Sequence, residues 1–322
     1  MAPQIVFGTS ALGLDGSTFQ DVGSVKYLLR TLRHLGISRL DTGARYPPNN
    51  PGRSEQLLGE ARGLSRGFVI DTKVYTDTAT DGSGDLTPEA ISKSADASLQ
   101  RLQRPEGVNV LYVHRGDPAT PLEEQIQGFV AQIVKGHCKA WGVSNVRPEM
   151  LENMLRLCEQ NGWPKPSYYQ GTYNVISRGM ETKLWPILCA HDMKFVAFWA
   201  VAAGFLTGKF VNGQHAGTRM GDDNPLGKYI QQMYGSEDVL SAVKKFDTET
   251  RALGLTPLEV SIRWVFHHSK LTDEDCVLLG ASKVEQVIEN VAFIRKGPLS
   301  DQVLPLVEKL WERVRGSRGE VI

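Results

Sequence analysis

Short apolar runs alternate with helix-length segments along this entire chain, and that rhythm constrains the fold more than any other feature. The runs cover residues 5–7, 38–40, 68–72, 108–113, 138–143, 168–171, 194–198 and 276–279. Each is nearly continuous in hydrophobicity, as strands buried on both faces are, and each precedes a stretch long enough for a helix. Several helix starts are legible. Thr87-Pro88-Glu89 places a capping residue before a proline at the first helical position. Thr256-Pro257-Leu258-Glu259 and Ser282-Lys283-Val284-Glu285 have capping-box spacing. Eight β-then-α units predict an α/β chain closed into a (β/α)8 TIM barrel. The competing open, doubly wound sheet wants G-x-G-x-x-G after its first strand, and this chain has Gly8-Thr9-Ser10-Ala11-Leu12-Gly13. No repeat, low-complexity tract or linker divides the chain, so residues 1–322 are expected to form one domain. The rhythm breaks over residues 211–235, rich in Gly, Asn, Asp and His. This predicts a long loop between strands 7 and 8, followed by an additional helix over residues 237–254.

The balance of charge narrows the partners. Lys+Arg and Asp+Glu number 36 each, which argues against nucleic acid and against a polybasic membrane surface. The N-terminus shows no basic-then-apolar leader, and no apolar run is long enough to span a bilayer. Cys138, Cys158, Cys189 and Cys276 are scattered without a C-x-x-C pair. They read as free thiols in a reducing compartment, with neither zinc nor a redox dithiol implied. The expectation is a cytoplasmic monomer or homodimer without a metal.

In such a barrel, chemistry sits at the C-terminal ends of the strands. Asp41 closes the second run, Lys73 the third, His114 the fourth, and Ser144 and Asn145 the fifth. Gln170 lies at the sixth, and Tyr46 follows Asp41 on a loop. Singly, each has a plain structural reading: Asp41 as a cap, Lys73 as a solvated lysine, His114 as a satisfied core histidine. Together they are harder to dismiss. A lysine directly after such an apolar run holds its charge near a low-dielectric core and needs a carboxylate, and Asp41 is one strand away. The ammonium in turn favours the Tyr46 phenolate and is expected to lower a pKa that starts near ~10. A phenol so placed can protonate a developing alkoxide, and neutral His114 can hydrogen-bond the same oxygen. Carbonyl reduction by a hydride donor has these requirements.

These residues resemble the aldo-keto reductase family. Asp41-Thr42-Gly43-Ala44-Arg45-Tyr46, with Ser54-Glu55 and Gly59, is similar to the family signature around its catalytic Asp and Tyr. Ile70-Asp71-Thr72-Lys73 and Leu111-Tyr112-Val113-His114 fit the family's Lys and His. Further matches are Trp141-Gly142-Val143-Ser144-Asn145, Gln170 with Tyr173-Asn174, the run Gly204-Phe205-Leu206-Thr207-Gly208-Lys209-Phe210, and Gly280-Ala281-Ser282 with Gln286 and Asn290. The resemblance spans almost the whole chain and is nearest to the aflatoxin-aldehyde-reductase-like branch, including its fungal members. It implies NADPH (NADP+) bound across the C-terminal face, with hydride passing to a small-molecule carbonyl substrate while Tyr46 supplies the proton. Ser144, Asn145 and Gln170 would hold the carboxamide, with Asp41 beside them. Phe198 would stack on the nicotinamide. Trp199, Gly204, Leu206, Gly208 and Lys209 would follow the pyrophosphate. Gly280, Ser282, Gln286 and Asn290 would meet the adenosine end, where Lys209, Arg219 and Lys283 would favour a 2′-phosphate.

The chain departs from the family where Tyr-Ser-Pro-Leu or Tyr-Asn-Pro-Leu is common after strand seven, for it has Phe198-Trp199-Ala200-Val201. The aromatic face is kept; a hydroxyl and a stiffening proline are lost. Met220, Tyr229, Met233 and Tyr234 fall in the long loop, which suits a bulky or aromatic substrate if it closes over the site, or simply packs on the barrel. Arg45, beside Tyr46, is placed to meet an anionic substrate group or a surface carboxylate. Two other readings compete. One is a non-catalytic NADPH-binding regulatory subunit, as in the potassium-channel β subunits. The other is a metal-dependent barrel enzyme, for which His267-His268 is the only adjacent histidine pair.

Overall fold

The structure, a computed structural model, describes residues 2–218, 220–222 and 225–320. Eight parallel strands form a closed barrel in sequence order: β1 (Gln4–Gly8), β2 (Arg39–Asp41), β3 (Val69–Lys73), β4 (Val108–Val113), β5 (Cys138–Ser144), β6 (Tyr168–Thr172), β7 (Lys194–Phe198) and β8 (Cys276–Gly280). β8 pairs back onto β1 along its whole length. Asp41, Lys73 and Ser144 lie inside their strands rather than after them. The reason is the two-residue period of a strand. Polar residues at these ends turn into the barrel, while their apolar neighbours turn out beneath the helices.

That alternation divides two cores. Phe7, Leu40, Leu111, Trp141, Phe195 and Val277 belong to the large outer core under the helices. Val6, Val196, Cys276 and Leu278 form a separate small cluster inside the barrel, with Tyr168 and Phe198 packed against it. The interior beside β2 and β3 is charged instead, with Asp41, Asp71 and Lys73 all buried. One side of the lumen is therefore an apolar plug and the side beside β2 and β3 an ionic network, which ends at the mouth where chemistry is expected.

Helices follow every strand, and the legible caps are used. Thr87 accepts from Ala90 N at 3.2 Å and Thr256 from Glu259 N at 3.1 Å. The long loop is shorter than the sequence suggests. Ten residues near its end form the helix Pro225–Tyr234, and the additional helix follows as Glu237–Ala252. Ile230 and Tyr234, four residues apart, are fully buried, and the Tyr234 ring stacks on Phe205 at 5.2 Å. This tertiary anchoring holds a helix that its Gly- and Asn-rich approach hides in the sequence. Among the described residues no helix is long and apolar enough to cross a membrane.

Candidate active site

Lys73 is 1% exposed and points from β3 to β2, where its ammonium lies 2.5 Å from Asp41 Oδ1 and donates to Thr42 O at 2.9 Å. The other oxygen, Asp41 Oδ2, accepts from Gln170 Nε2 at 2.9 Å, across the barrel from β6. Both carboxylate oxygens are thus satisfied and the cation is paired, which a buried charge requires. Burial pulls the Lys73 ammonium down, but Asp41 and then Tyr46 outweigh it and hold it above the ordinary lysine range.

Tyr46 sits on the loop after β2. Its N–H donates to Gly43 O at 2.9 Å, and its carbonyl accepts from Ser54 N at 3.1 Å. The Lys73 ammonium is 5.0 Å from its ring centre, and the His114 ring meets it edge-on at 5.5 Å. The lowered pKa expected from the sequence is not the net outcome. Burial pushes the Tyr46 phenol up, Lys73 opposes it, and Asp41 cancels part of that opposition, leaving the phenol above its usual value. It is therefore protonated at neutral pH, the state an acid needs. Gly43 matters by space: a Cβ there would come within 3.3 Å of the Tyr46 ring and 3.6 Å of Lys73 Cβ. Gly43→Ala is expected to displace the ring and lower kcat about tenfold while leaving the thermal midpoint little changed. Steady-state kinetics beside a melting curve would check this.

His114 lies just beyond β4, its Nδ1 enclosed without a protein partner. Burial, then Lys73, Arg45 and Arg115, drive it down to about 3, so the ring is neutral. The unfolded chain takes up this proton from an ordinary value of 6.5 and the folded chain refuses it. Stability should therefore fall as pH drops from 6.5 toward 3. His114→Gln should flatten that part of the curve in urea titrations; an unaltered decline would assign it to other groups.

The remaining expected residues fall into distinct situations. Ser144 is buried, and Asn145 Nδ2 donates to His114 O at 3.0 Å and Ser144 Oγ at 3.1 Å. Phe198 and Trp199 are half-buried and meet edge to face at 5.6 Å. Trp199 (φ 56°), Ala202 (φ 50°) and Ala203 (φ 56°) hold left-handed backbone, a costly state for residues with a side chain. Asn174 Nδ2 fixes this turn through the Trp199 carbonyl at 2.9 Å. Gly204 and Gly208 also have positive φ; the Leu206 side chain is buried in the outer core and Lys209 is exposed. At the start of the helix Val284–Arg295, Gln286 Oε1 accepts from Ser282 N at 2.8 Å, Lys283 N at 3.2 Å and Ser282 Oγ at 3.3 Å. Asn290 is buried one turn further on, and Gly280 is exposed at the end of β8. Arg219 lies outside the described residues. Arg45 donates to Thr78 Oγ1. Met220 and Tyr234 are buried against the barrel, so for them the packing role holds, whereas Tyr229 is 51% exposed.

Sequence reasoning passed over Tyr112, fully buried with Lys73 5.9 Å from its ring centre, and Tyr75, 40% exposed two residues beyond Lys73. The strand period carried the signal for Tyr112, which shares the inward face with His114. The adjacent histidines are structural. His268 Nε2 accepts from Leu299 N at 2.8 Å, and His267 Nε2 lies 2.9 Å from Ile294 O. Among the described residues no group of three or more His, Cys, Asp or Glu is placed to hold a metal ion.

A closed parallel barrel with a Lys–Asp pair, a tyrosine and a neutral histidine at its mouth has the groups that carbonyl reduction requires. The aldo/keto reductase family model matches residues 4–312, and the chain belongs to that family. It is 31% identical to aflatoxin B1 aldehyde reductase member 2 of Mus musculus, covering 98% of this chain and 86% of the relative. It is likewise 31% identical to the oxidoreductase sirO of Leptosphaeria maculans, over 98% and 95% of the two chains. An aldo-keto reductase of Pseudocercospora fijiensis is 28% identical over 89% and 97%. Members of the family use a nicotinamide cofactor, NAD(P)H.

Proposed function

We propose that this protein reduces an aldehyde or ketone to an alcohol with NADPH, and that Tyr46 is the proton donor. The observation that carries the reading is the buried Lys73–Asp41 pair beside a protonated phenol and a neutral imidazole. When bound, the nicotinamide supplies the hydride. Tyr46 gives its proton to the carbonyl oxygen, and the Lys73 ammonium lowers the cost of the phenolate left behind. Asp41 keeps Lys73 charged and in place. His114, neutral, donates a hydrogen bond to the same oxygen and orients the carbonyl.

The residues fit the cofactor. Three donors at the start of the helix Val284–Arg295 already converge on one acceptor, the amide oxygen Gln286 Oε1, and a phosphate oxygen can take its place. Lys209 and Lys283 are exposed cations that would serve a 2′-phosphate. Ser144, Asn145 and Gln170 are the carboxamide's partners, Phe198 its stacking face, and the turn from Trp199 through Lys209 holds the pyrophosphate through its backbone. Ser282→Ala and Gln286→Ala are expected to raise KM for NADPH about tenfold, the worth of a hydrogen bond to a charged group, and KM for NADH much less, Gln286 giving the phosphate its amide N–H once its oxygen is displaced. Equal effects on both cofactors would remove these residues from phosphate recognition.

The substrate reading is a bulky or aromatic carbonyl. Tyr229 and Tyr75 present exposed rings, and the mouse relative is named for reduction of aflatoxin B1 aldehyde. The balanced charge fits no nucleic-acid partner, and four free cysteines, three of them buried, fit a reducing compartment such as the cytoplasm.

A further inference from the structure

Beneath the Lys73–Asp41 pair lies a second one that the chemistry above does not use. Arg39 Nε and Asp71 Oδ2 are 2.7 Å apart, and Asp71 Oδ1 accepts from Asn109 Nδ2 at 2.8 Å. The two pairs are built alike. Each carboxylate gives one oxygen to a cation on the neighbouring strand and the other to a side-chain amide, Gln170 above and Asn109 below. They are also in register. Asp41 and Asp71 are direct partners of β2 and β3, with Cα atoms about 4.8 Å apart across the ladder. Arg39 and Lys73 each stand two residues from a carboxylate on their own strand, roughly 6.6 Å along it, and on the same inward face. The barrel interior therefore carries a column of four charges: Arg39, then the two carboxylates side by side, then Lys73.

A column of this kind is costly, because two carboxylates share one low-dielectric space and each needs its own cation. Structural glue alone does not require it, since the other side of the lumen is filled by Val6, Val196, Cys276 and Leu278. We propose that Arg39 and Asp71 are positioning residues for the carbonyl chemistry: through Asp41 and Lys73 they set the pH at which the Tyr46–Lys73 pair loses its proton. Asp71 adds to the field that keeps Lys73 charged, and Asp41 raises the cost of ionising Asp71. Arg39 relieves that cost from below.

The groups facing this column are few. Tyr112 of β4 is fully buried beside it. The Tyr168 ring of β6 lies 4.8 Å under the Arg39 guanidinium, and Cys276 Sγ of β8 is 3.5 Å from Arg39 Nη1. Around Tyr46 stand Lys73, Asp41, Arg45 and His114, and Arg115 adds to the positive field at His114. Burial pushes the Cys276 thiol up to about 11 and Tyr112 well above the usual tyrosine range, so both stay neutral below the alkaline region.

The proposal rests on Tyr46 as the acid only for its kinetic arm. The direct arm is the alkaline titration of Tyr46 in cofactor-free protein, read as the phenolate absorbance of each variant minus that of the same variant carrying Tyr46→Phe. Asp71→Asn removes a negative charge and should move the titration down; Arg39→Gln removes a positive one and should move it up. Each displacement should be about one pH unit, as for a single charge on the order of 10 Å away at an effective dielectric of about 20. Arg39→Lys, which keeps the charge, should return the titration to the parent position. The alkaline limb of kcat should follow in the same directions, as a property of the coupled pair. Opposite displacements with rescue by lysine are the expected result. Displacements in one common direction, none at all, or an Arg39→Lys titration displaced as far as Arg39→Gln would overturn the proposal. Should Asp71→Asn fail to fold, the Arg39→Gln and Arg39→Lys comparison still decides. Titrations that move as stated while the kinetic limb stays fixed would keep the column and reject Tyr46 as the acid.

Discussion

Tyr46→Phe is expected to lower kcat for aldehyde reduction by about 10²–10⁴-fold, the usual worth of a positioned proton donor. Cofactor affinity and stability should change little. The phenylalanine ring keeps the edge-on contact with His114 and the face toward the Lys73 ammonium. What disappears is the hydroxyl held beside a buried ammonium and a neutral imidazole at the barrel mouth. Steady-state kinetics together with cofactor binding by fluorescence separate a lost proton donor from a lost binding site. A variant that retains more than about a tenth of the parent kcat would assign the proton to another group.

Lys73→Met carries the second large effect, and it acts on both stability and rate. Removing the ammonium leaves Asp41, buried at 3% exposure, without its cation. Breaking such a pair from one side typically costs about 3–5 kcal/mol. Because the folded-state pKa of Lys73 is raised, its contribution is fully present below the ordinary value of 10.5 and is lost as pH climbs through the raised value. The variant should thus be less stable at neutral pH but lack this part of the alkaline decline, which denaturant titrations across pH would show. With the ammonium gone, burial and Asp41 act on Tyr46 against only the weaker pull of Arg45. The phenol becomes a weaker acid, turnover falls, and the alkaline limb of the rate profile moves upward. An unchanged limb would mean that Lys73 does not tune Tyr46.

Much of this was legible because the determinants are local and periodic. Eight apolar runs gave eight strands, and the polar residues closing them mark the mouth. The physics of a lysine behind Phe68-Val69-Ile70 demanded a partner, and Asp41 is that partner. What escaped depended on magnitudes or on distant packing. The sign of the Tyr46 shift needed the depth of burial, which no spacing encodes. The helix Pro225–Tyr234 is held by Phe205, and Gly- and Asn-rich sequence before it conceals its period. Leu206, in a run matched as a cofactor segment, turns its side chain into the core, so a motif locates backbone better than side chains. Arg39 and Asp71 could have been found by stepping back two residues from Asp41 and from Lys73, since period two puts all four on one inward face.

The run after β7 departs from the pattern common in the family. Phe198 and Trp199 form an edge-to-face pair, and Trp199 occupies left-handed backbone where a small polar residue is usual. Such backbone persists only when its surroundings over-determine it, here through Asn174 and the turn that follows. The proposed chemistry at Tyr46 does not depend on Trp199.

The most direct test is NADPH oxidation by the wild-type protein over a panel of aromatic aldehydes and quinones, with the alcohol or hydroquinone product identified. The account predicts product in one-to-one ratio with NADPH consumed, at rates at least about a hundredfold above the Tyr46→Phe protein. NADPH binding without oxidation above that control, across the whole panel, would contradict it and point to a regulatory subunit on the same barrel.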